Sequence, residues 1–462
     1  MRAAISFLPA SVGLMACLVT PGAQGQDLMS IYRLAEQRDP VIAASRHALE
    51  SAQEKLPQAR AGLLPNLSLT GSNGQQHGQG AFNGAPFVDR EVRNWAWTLQ
   101  LTQPLWRAAA WEALGEAAAW LRQAGAQHAL AQQDLVLRVA QAYFDILAAQ
   151  DAVAVADAQI KAVQEQQVAA QRAYDVGSAT ITDLHEARAR LDLAQAQRVA
   201  ARGDLESRQA ELERILGAPT EQVAPLDMGA TLPQPDPRDA APWVAQAQAQ
   251  HPSVMMQGAA LEAAGRSVLR VKAEHQPTLD LTASHGADFS SGTISSPADI
   301  ATRTRSTRVG LLLTIPLYAG GGTQSRVREA ASNRQRAEDE LEAARRTAAA
   351  QARQAFTGVT TALAQCDALA SAVQSSRSAL QANEVGYRTG TRINIDVLNA
   401  QQQLYSAQRD LAKARYQALM QGLRLKAAAG VLTPDDLAAV NGMLVPSQRT
   451  AAANPQGPAA RP

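Results

Sequence analysis

The chain is written twice. Pro65-Asn66-Leu67-Ser68-Leu69-Thr70 is answered by Pro277-Thr278-Leu279-Asp280-Leu281-Thr282, an offset of 212 residues (277 − 65 = 212). The same offset links Pro40 to Pro252 and Phe144 to Phe356. It also links Leu101-Thr102-Gln103-Pro104-Leu105-Trp106 to Leu313-Thr314-Ile315-Pro316-Leu317-Tyr318. From Tyr174 and Tyr387 onward it becomes 213, and holds for Gly177/Gly390, Asp183/Asp396, Leu191/Leu404 and Gly217/Gly430. One register kept by so many unlike residue types marks a tandem duplication, so each half must build the same unit.

Each copy has the same order of parts. A helix of about 35 residues is expected to end near Pro65 or Pro277. Two strands follow, separated by a loop rich in Gly, Ser and charge. Pro104 or Pro316 then closes the second strand and opens a very long helix, because proline suits a first helical turn but cannot donate into a ladder. A glycine turn reverses the chain into a return helix ending at Gly217 or Gly430. The expected bounds are 26–216 for the first repeat, with strands at 66–76 and 92–104 and a helical hairpin over 105–216. A Pro-rich link covers 217–242. The second repeat covers 243–429, with strands at 278–288 and 306–316 and a hairpin over 317–429; 430–445 follows, and 446–462 reads as a disordered tail.

The strands alternate. Leu67, Leu69, Trp95, Trp97, Leu99 and Leu101 share one face, against Ser68, Thr70, Asn94, Ala96, Thr98 and Gln100. The second copy repeats this with Leu279, Leu281, Val309, Leu311 and Leu313, only Leu312 breaking the rule. This is the period of a sheet with one apolar and one wet face. A soluble sheet on a helix layer has the same period. But the strands are about ten residues long, as a tilted membrane strand must be, and Trp95, Trp97, Trp106 and Tyr318 lie where an interfacial girdle would. Four strands cannot close a barrel, and open edges are not tolerated in lipid, so other copies must complete it.

The helices are too long for one globular domain. Leu105 to Ala173 would span about 100 Å. Heptads run through Val139, Ile146, Val153 and Ile160, and through Val359, Cys366, Val373 and Leu380. The return helices show Leu184, Leu191, Leu205 and Leu212, then Val397, Leu404, Leu411 and Leu425. A sustained seven-residue repeat packs as a left-handed coiled coil, so each long helix is expected to fold back on its return helix.

Arg2, the apolar run Ala3–Val19 and Ala23-Gln24-Gly25 read as a signal peptide over 1–25. Leu14-Met15-Ala16-Cys17 leaves open a second route, acylation of Cys17. Cleavage after Gly25 leaves Cys366 alone, so no intrachain disulfide is expected. A net charge of +1 gives no footprint for nucleic acid. No enzyme motif is complete. His185-Glu186 is followed by Ala189 where a second zinc ligand would stand, and Gly320-Gly321-Gly322 lacks a following Lys-Ser/Thr. No cofactor is expected.

The chain resembles the TolC family of outer-membrane channel-tunnels over residues 27–445. The residues that carry the likeness are Asp27-Leu28-Met29, Leu64-Pro65-Asn66-Leu67, Leu101-Thr102-Gln103-Pro104, Tyr143-Phe144, Tyr174-Asp175-Val176-Gly177, Thr182-Asp183, Ile315-Pro316-Leu317-Tyr318 and Gly386–Arg392. Their order and spacing are specific together, though each is weak alone. The resemblance implies a mixed α/β membrane protein of a Gram-negative outer membrane. It is a homotrimer giving four strands per protomer to a twelve-stranded barrel, above long antiparallel coiled-coil helices that form a periplasmic α-helical barrel. The link 217–242 and the segment after Gly430 would form a belt around its middle.

The implied role is a passive duct, not an enzyme, working with an inner-membrane ABC or RND pump and a periplasmic adaptor. The branch that serves type I protein secretion, with an unfolded RTX-type toxin as cargo, is nearer than the acylated drug-efflux branch. The family's gate falls on Thr182 and Asp183 of one hairpin and Tyr387 and Arg392 of the other. Its entrance acidic rings fall on Asp396 and on Asn399, where an amide replaces the carboxylate. Gly177 and Gly390 mark the turns where adaptors dock. Without the resemblance these charges would read as solvated loop residues.

Overall fold

The structure, a computed structural model, describes residues 26–177, 180–219, 223–227, 229–298 and 300–445. The signal-like residues 1–25 and the tail 446–462 lie outside the described residues.

Copy one opens with α1 (Leu28–Arg38), α2 (Pro40–Gln53) and α3 (Lys55–Ala61), then β1 (Asn66–Gly80), β2 (Val88–Trp106), α4 (Ala108–Asp175) and α5 (Ile181–Leu216). Copy two opens with α6 (Ala240–Gln250) and α7 (Pro252–Ala273), then β3 (Thr278–Ser290), β4 (Thr302–Thr314), α8 (Gly322–Arg388) and α9 (Asn394–Ala428); α10 (Pro434–Asn441) follows.

The single opening helix expected in each copy is in fact broken, at Asp39–Pro40 and at His251–Pro252. The residue before proline is pushed out of the α region, and Asp39 and His251 take extended backbone with ψ of 120° and 130°. Both then cap the next helix. Asp39 accepts from the amides of Val41 and Ile42 at 2.6 and 3.2 Å, and His251 Nδ1 accepts from the amide of Ser253 at 3.2 Å.

The long helices are continuous, 68 residues in α4 and 67 in α8. Both begin later than the prolines. β2 runs through Pro104 to Trp106 over an irregularity in its register with β3, and Gly320 and Gly321, in left-handed backbone, delay the start of α8. Arg107, just before α4, fixes this junction by pairing with buried Asp280 of β3 at 2.9 Å.

In α4 the buried seam differs from the one the large apolar residues suggest. Val139 and Ile146 are buried, but beyond them the buried line is Ala149, Ala156, Val163 and Ala170 of α4, facing Ala187 and Ala194 of α5. In α8 it is Ala352, Val359 and Cys366. The α4 series is shifted by three residues, so that small side chains meet at the helix contact, whereas the α8 series keeps the expected register and extends it back to Ala352. Alanine lets backbones approach closely and leaves Val153, Ile160, Val373 and Leu380 half-buried within the protomer.

Halfway along, the link and the C-terminal segment pack around α1 and α4. Val223 bridges to Gln26 and Leu226 to Leu444, and Asn441 Nδ2 donates to Asp27 at 2.8 Å. Tyr143 donates its hydroxyl to the carbonyl of Ala224 at 2.8 Å; burial pushes its phenol well above the ordinary range. The largest apolar core lies here, with Leu28, Ile31, Phe144, Leu212, Leu216 and Leu437 all but inaccessible.

Candidate functional site

The four strands form one antiparallel sheet in the order β1-β2-β3-β4, so β1 and β4 are both edges. The register aligns Leu67 with Leu101, Leu69 with Leu99 and Asn73 with Trp95. It continues Trp95 to Phe289 and Phe289 to Arg303, and Leu279 to Leu313 and Leu281 to Leu311. Since side chains alternate, all of these share one face. On it Leu69 is 70% exposed, Val309 72% and Leu311 65%, a continuous apolar band with nothing of the protomer over it. Trp95 stacks on Phe289 with ring centroids 6.1 Å apart at the loop end of the band. Trp106 and Tyr318 stand at the helix end. The opposite face carries Ser68, Thr70, Thr98, Gln100, Ser284 and Arg308, with Leu312 set among them opposite Asp280.

β1 and β2 run beyond the ranges expected, to Gly80 and from Val88, because their ladder continues past the apolar band. Over this extension the β3–β4 loop lies on the polar face. Ile294 sits where any side chain at Gly78 would be, its Cδ1 only 3.0 Å from that position, and its carbonyl is as close to Gly80. Arg90 holds the loop there. Its Nη1 donates to the carbonyls of Thr293 and Ser296 at 2.7 and 2.6 Å, and its Nη2 to that of Pro297 at 3.0 Å. The guanidinium also lies 5.3 Å from the centre of the Phe82 ring. The loop thereby covers this part of the polar face, which nothing in the strand pattern foretells.

At the far end the hairpins turn at Gly177 and Gly390, both with φ of 76°, a left-handed conformation that favours glycine. Asp183 lies in the first turn of α5, where its carboxylate accepts from the amide and hydroxyl of Thr180 at 3.0 and 2.7 Å while Thr180 Oγ1 accepts from the Asp183 amide. It is therefore half of a capping box. Thr182 beside it is exposed. Arg392 crosses buried Gly386, where a Cβ would stand 2.7 Å from Arg392 Cγ, and its Nη1 lies 3.6 Å from Asp396 Oδ2. Tyr387 is half-buried in the last turn of α8.

Among the described residues no ion pair joins Asp183 to Arg392. What joins the two hairpins is Arg190 of α5, which donates to Asn399 Oδ1 at 2.9 Å and Gln402 Oε1 at 2.6 Å on α9. Gln166 of α4 donates to buried Asn394, and Val163, Ala170, Ala187 and Leu398 close a small core between α4, α5 and α9. Asp183 lies within the first turn of α5, whereas Arg392 lies in the turn just before α9.

An open sheet with a lipid-length apolar face, carried above helical hairpins of about 100 Å, defines a subunit of an outer-membrane duct that further copies complete. The comparisons agree. Residues 31–218 and 243–431 match the outer membrane efflux protein family, one match to each copy. The chain belongs to that family. It is 32% identical over 450 residues to the outer membrane protein TolC of Escherichia coli, covering 95% of this chain and 89% of that one. It is 31% identical over 444 residues to the alkaline protease secretion protein AprF of Pseudomonas aeruginosa, covering 95% and 92%. Its fold matches that of the outer membrane protein VceC of Vibrio cholerae with a TM-score of 0.72 at 18% identity, covering 87% and 96%. The architecture is thus a mixed α/β outer-membrane channel of Gram-negative bacteria. Four strands per protomer enter a trimeric twelve-stranded barrel, and the long helices form a periplasmic helical barrel.

Proposed function

We propose that the protein is the passive outer-membrane exit duct of a tripartite export system and performs no chemistry of its own. The observation that carries this reading is the pairing of an unclosed, lipid-facing sheet with a polar inner face continuous with the hairpins below. Direction and energy come from an inner-membrane pump, of ABC or RND type, through a periplasmic adaptor that seats on the turns at Gly177 and Gly390. The cargo class is an unfolded secreted protein passed by type I secretion; similarity to a relative named for protease secretion supports it. Multidrug efflux is the alternative, favoured by the family's own description.

The test is a strain lacking this channel. Loss of one or a few large proteins from the medium, with drug tolerance unchanged, is the expected result; drug hypersensitivity with an unchanged set of secreted proteins would overturn the cargo class. Cross-linking of the detergent-extracted protein should give a trimer, and a stable monomer or dimer would contradict the duct itself.

The entrance is assigned to the hairpin tips, with Thr182, Asp183, Tyr387 and Arg392 as the gate and Asp396 as a ring of three carboxylates about the axis. A narrow mouth focuses the field of three close carboxylates on multivalent cations. Arg392 partly neutralises Asp396 and Asn399 adds no charge, so block by a trivalent cation from the periplasmic side should be modest in the natural protein. Asp396→Ala should abolish most of it and Asn399→Asp should strengthen it, read as channel current against added cation. Equal blocking affinity in Asp396→Ala would remove the ring from this position.

A further inference from the structure

We propose that the outward face of β4, just beyond the apolar band, is a binding site for the phosphate groups of the outer leaflet's glycolipid, with Arg303 and Arg305 as its donors. Both arginines share the face of Val309, Leu311 and Leu313, since the register places Arg303 opposite Phe289 and Arg305 opposite Ala287. They therefore point towards lipid, at the end of the sheet away from the helices. That end is the outer leaflet. Arg303 is already oriented, its guanidinium 5.9 Å from the centre of the Trp95 ring, which itself stacks on Phe289. A cation resting on an interfacial aromatic keeps its remaining N–H donors free for an anion above.

Among the described residues no carboxylate competes for these two charges. Among the described residues neither arginine has an acidic partner, whereas Arg93 of β2 is held by Glu91 at 3.1 Å. Glu91 and Asp89 are on β2, two strands from β4 and so about 10 Å away. Asp288 of β3 pairs in register with Thr304 and so lies on the other face. Closing the barrel supplies nothing either, because the strand that must come to lie beside β4 is β1 of another copy. β1 reads Asn-Leu-Ser-Leu-Thr-Gly-Ser-Asn-Gly-Gln-Gln-His-Gly-Gln-Gly and contains no Asp or Glu.

Three copies thus present six guanidinium groups in one ring. Their asymmetry matters as much as their number. The opposite edge of the band is bounded by Trp106, Leu317 and Tyr318, and the arginine there, Arg107, is spent on Asp280. An outward arginine near the membrane surface finds its favourable partner in lipid phosphate, which its planar fork can engage with two hydrogen bonds.

The test uses the full-length protein extracted in mild detergent, with lipid retention read by native mass spectrometry. The probes are bisphosphorylated lipid A, the same lipid with its phosphates removed, and free inorganic phosphate as a competitor. The natural protein should retain the phosphorylated lipid and release the dephosphorylated one. Arg303→Gln with Arg305→Gln should weaken retention roughly tenfold or more, as loss of charge-assisted bonds requires. Arg308→Gln, on the polar face, should leave it unchanged. Equal retention by the double glutamine variant, or equal retention of dephosphorylated lipid, would overturn the proposal. Displacement of the lipid by millimolar inorganic phosphate would also overturn it, because the site would then take the anion without the lipid. Should the glutamine variant fail to assemble, Arg303→Lys with Arg305→Lys keeps the charge but not the fork and should still lose retention several-fold; unchanged retention there would count equally against the assignment.

Discussion

Tyr387→Phe combined with Arg392→Ser should raise single-channel conductance in planar bilayers strongly. The two residues sit at the tip of α8 and in the turn after it. Exposed contacts of this kind contribute about 0–1 kcal/mol each. Three protomers lose theirs together, so a loss of about 1 kcal/mol per copy shifts the closed-to-open balance on the order of 100-fold. Arg392 is the better target than Asp183, because Asp183 also caps α5 and its removal would fray the helix end. A second consequence distinguishes gating from simple loosening. Arg392→Ser frees the Asp396 carboxylate that Arg392 approaches to 3.6 Å, so the opened channel should also be blocked more tightly by trivalent cations. Unchanged conductance in an intact trimer would show that these side chains do not hold the tip.

The duplication, the four strands and the two long hairpins were legible because they rest on periodicity, which each half states independently. The strand faces were legible for the same reason. What escaped the sequence were single contacts between distant residues. Arg90 reads as one charge in a polar loop region, yet it gathers three carbonyls some 200 residues away. Arg190 has Gln403 as its counterpart in the second copy, so the repeat gave no hint that it ties the hairpins together. The alanine seam of α4 is hidden for a different reason. Alanine is so common in these helices that its seven-residue step carries little signal, whereas Val153 and Ile160 of the more visible apolar series are left half-buried in the protomer. The broken opening helices follow from Pro40 and Pro252, because the residue before a proline is pushed out of the α region.

Asp39→Ala should destabilise the middle of the molecule by about 1–3 kcal/mol, since it removes a helix cap and one of the two carboxylates paired with half-buried Arg138. Asp39 is 1% exposed and does three things at once. Its amide ends α1 on the carbonyl of Ala35 at 2.7 Å, its Oδ1 caps α2, and its Oδ2 accepts from Arg138 Nη1 of α4 at 2.7 Å. Arg138 then keeps only Asp134, with Nη2 already lacking a partner among the described residues. The second copy confirms that the cap and the ion pair are separable. There His251 caps α7 and Ala350 stands where Arg138 would, so the arrangement survives with the cap alone. Asp39→Asn should accordingly cost less than Asp39→Ala, because the amide oxygen still accepts from Val41 and Ile42. The two variants also separate in pH. Burial works to raise the Asp39 carboxyl, but the Arg138 hydrogen bond, the two capping amides and the Arg138 charge outweigh it, and its value falls below the usual carboxylate range. A depressed value means that Asp39 contributes its full stability above about pH 4, the unfolded value, and loses it as pH falls through the folded one. Unfolding midpoints of the detergent-extracted trimer in guanidinium chloride, taken from pH 7 down to pH 3, should therefore drop less steeply in Asp39→Asn than in the natural protein. Burial works to raise the Asp27 carboxyl, but its bonds to Ser30 and Asn441 lower it, so Asp27 contributes to the slope that remains. Parallel curves for the two proteins would mean that Asp39 is not ionised against Arg138 in the folded state.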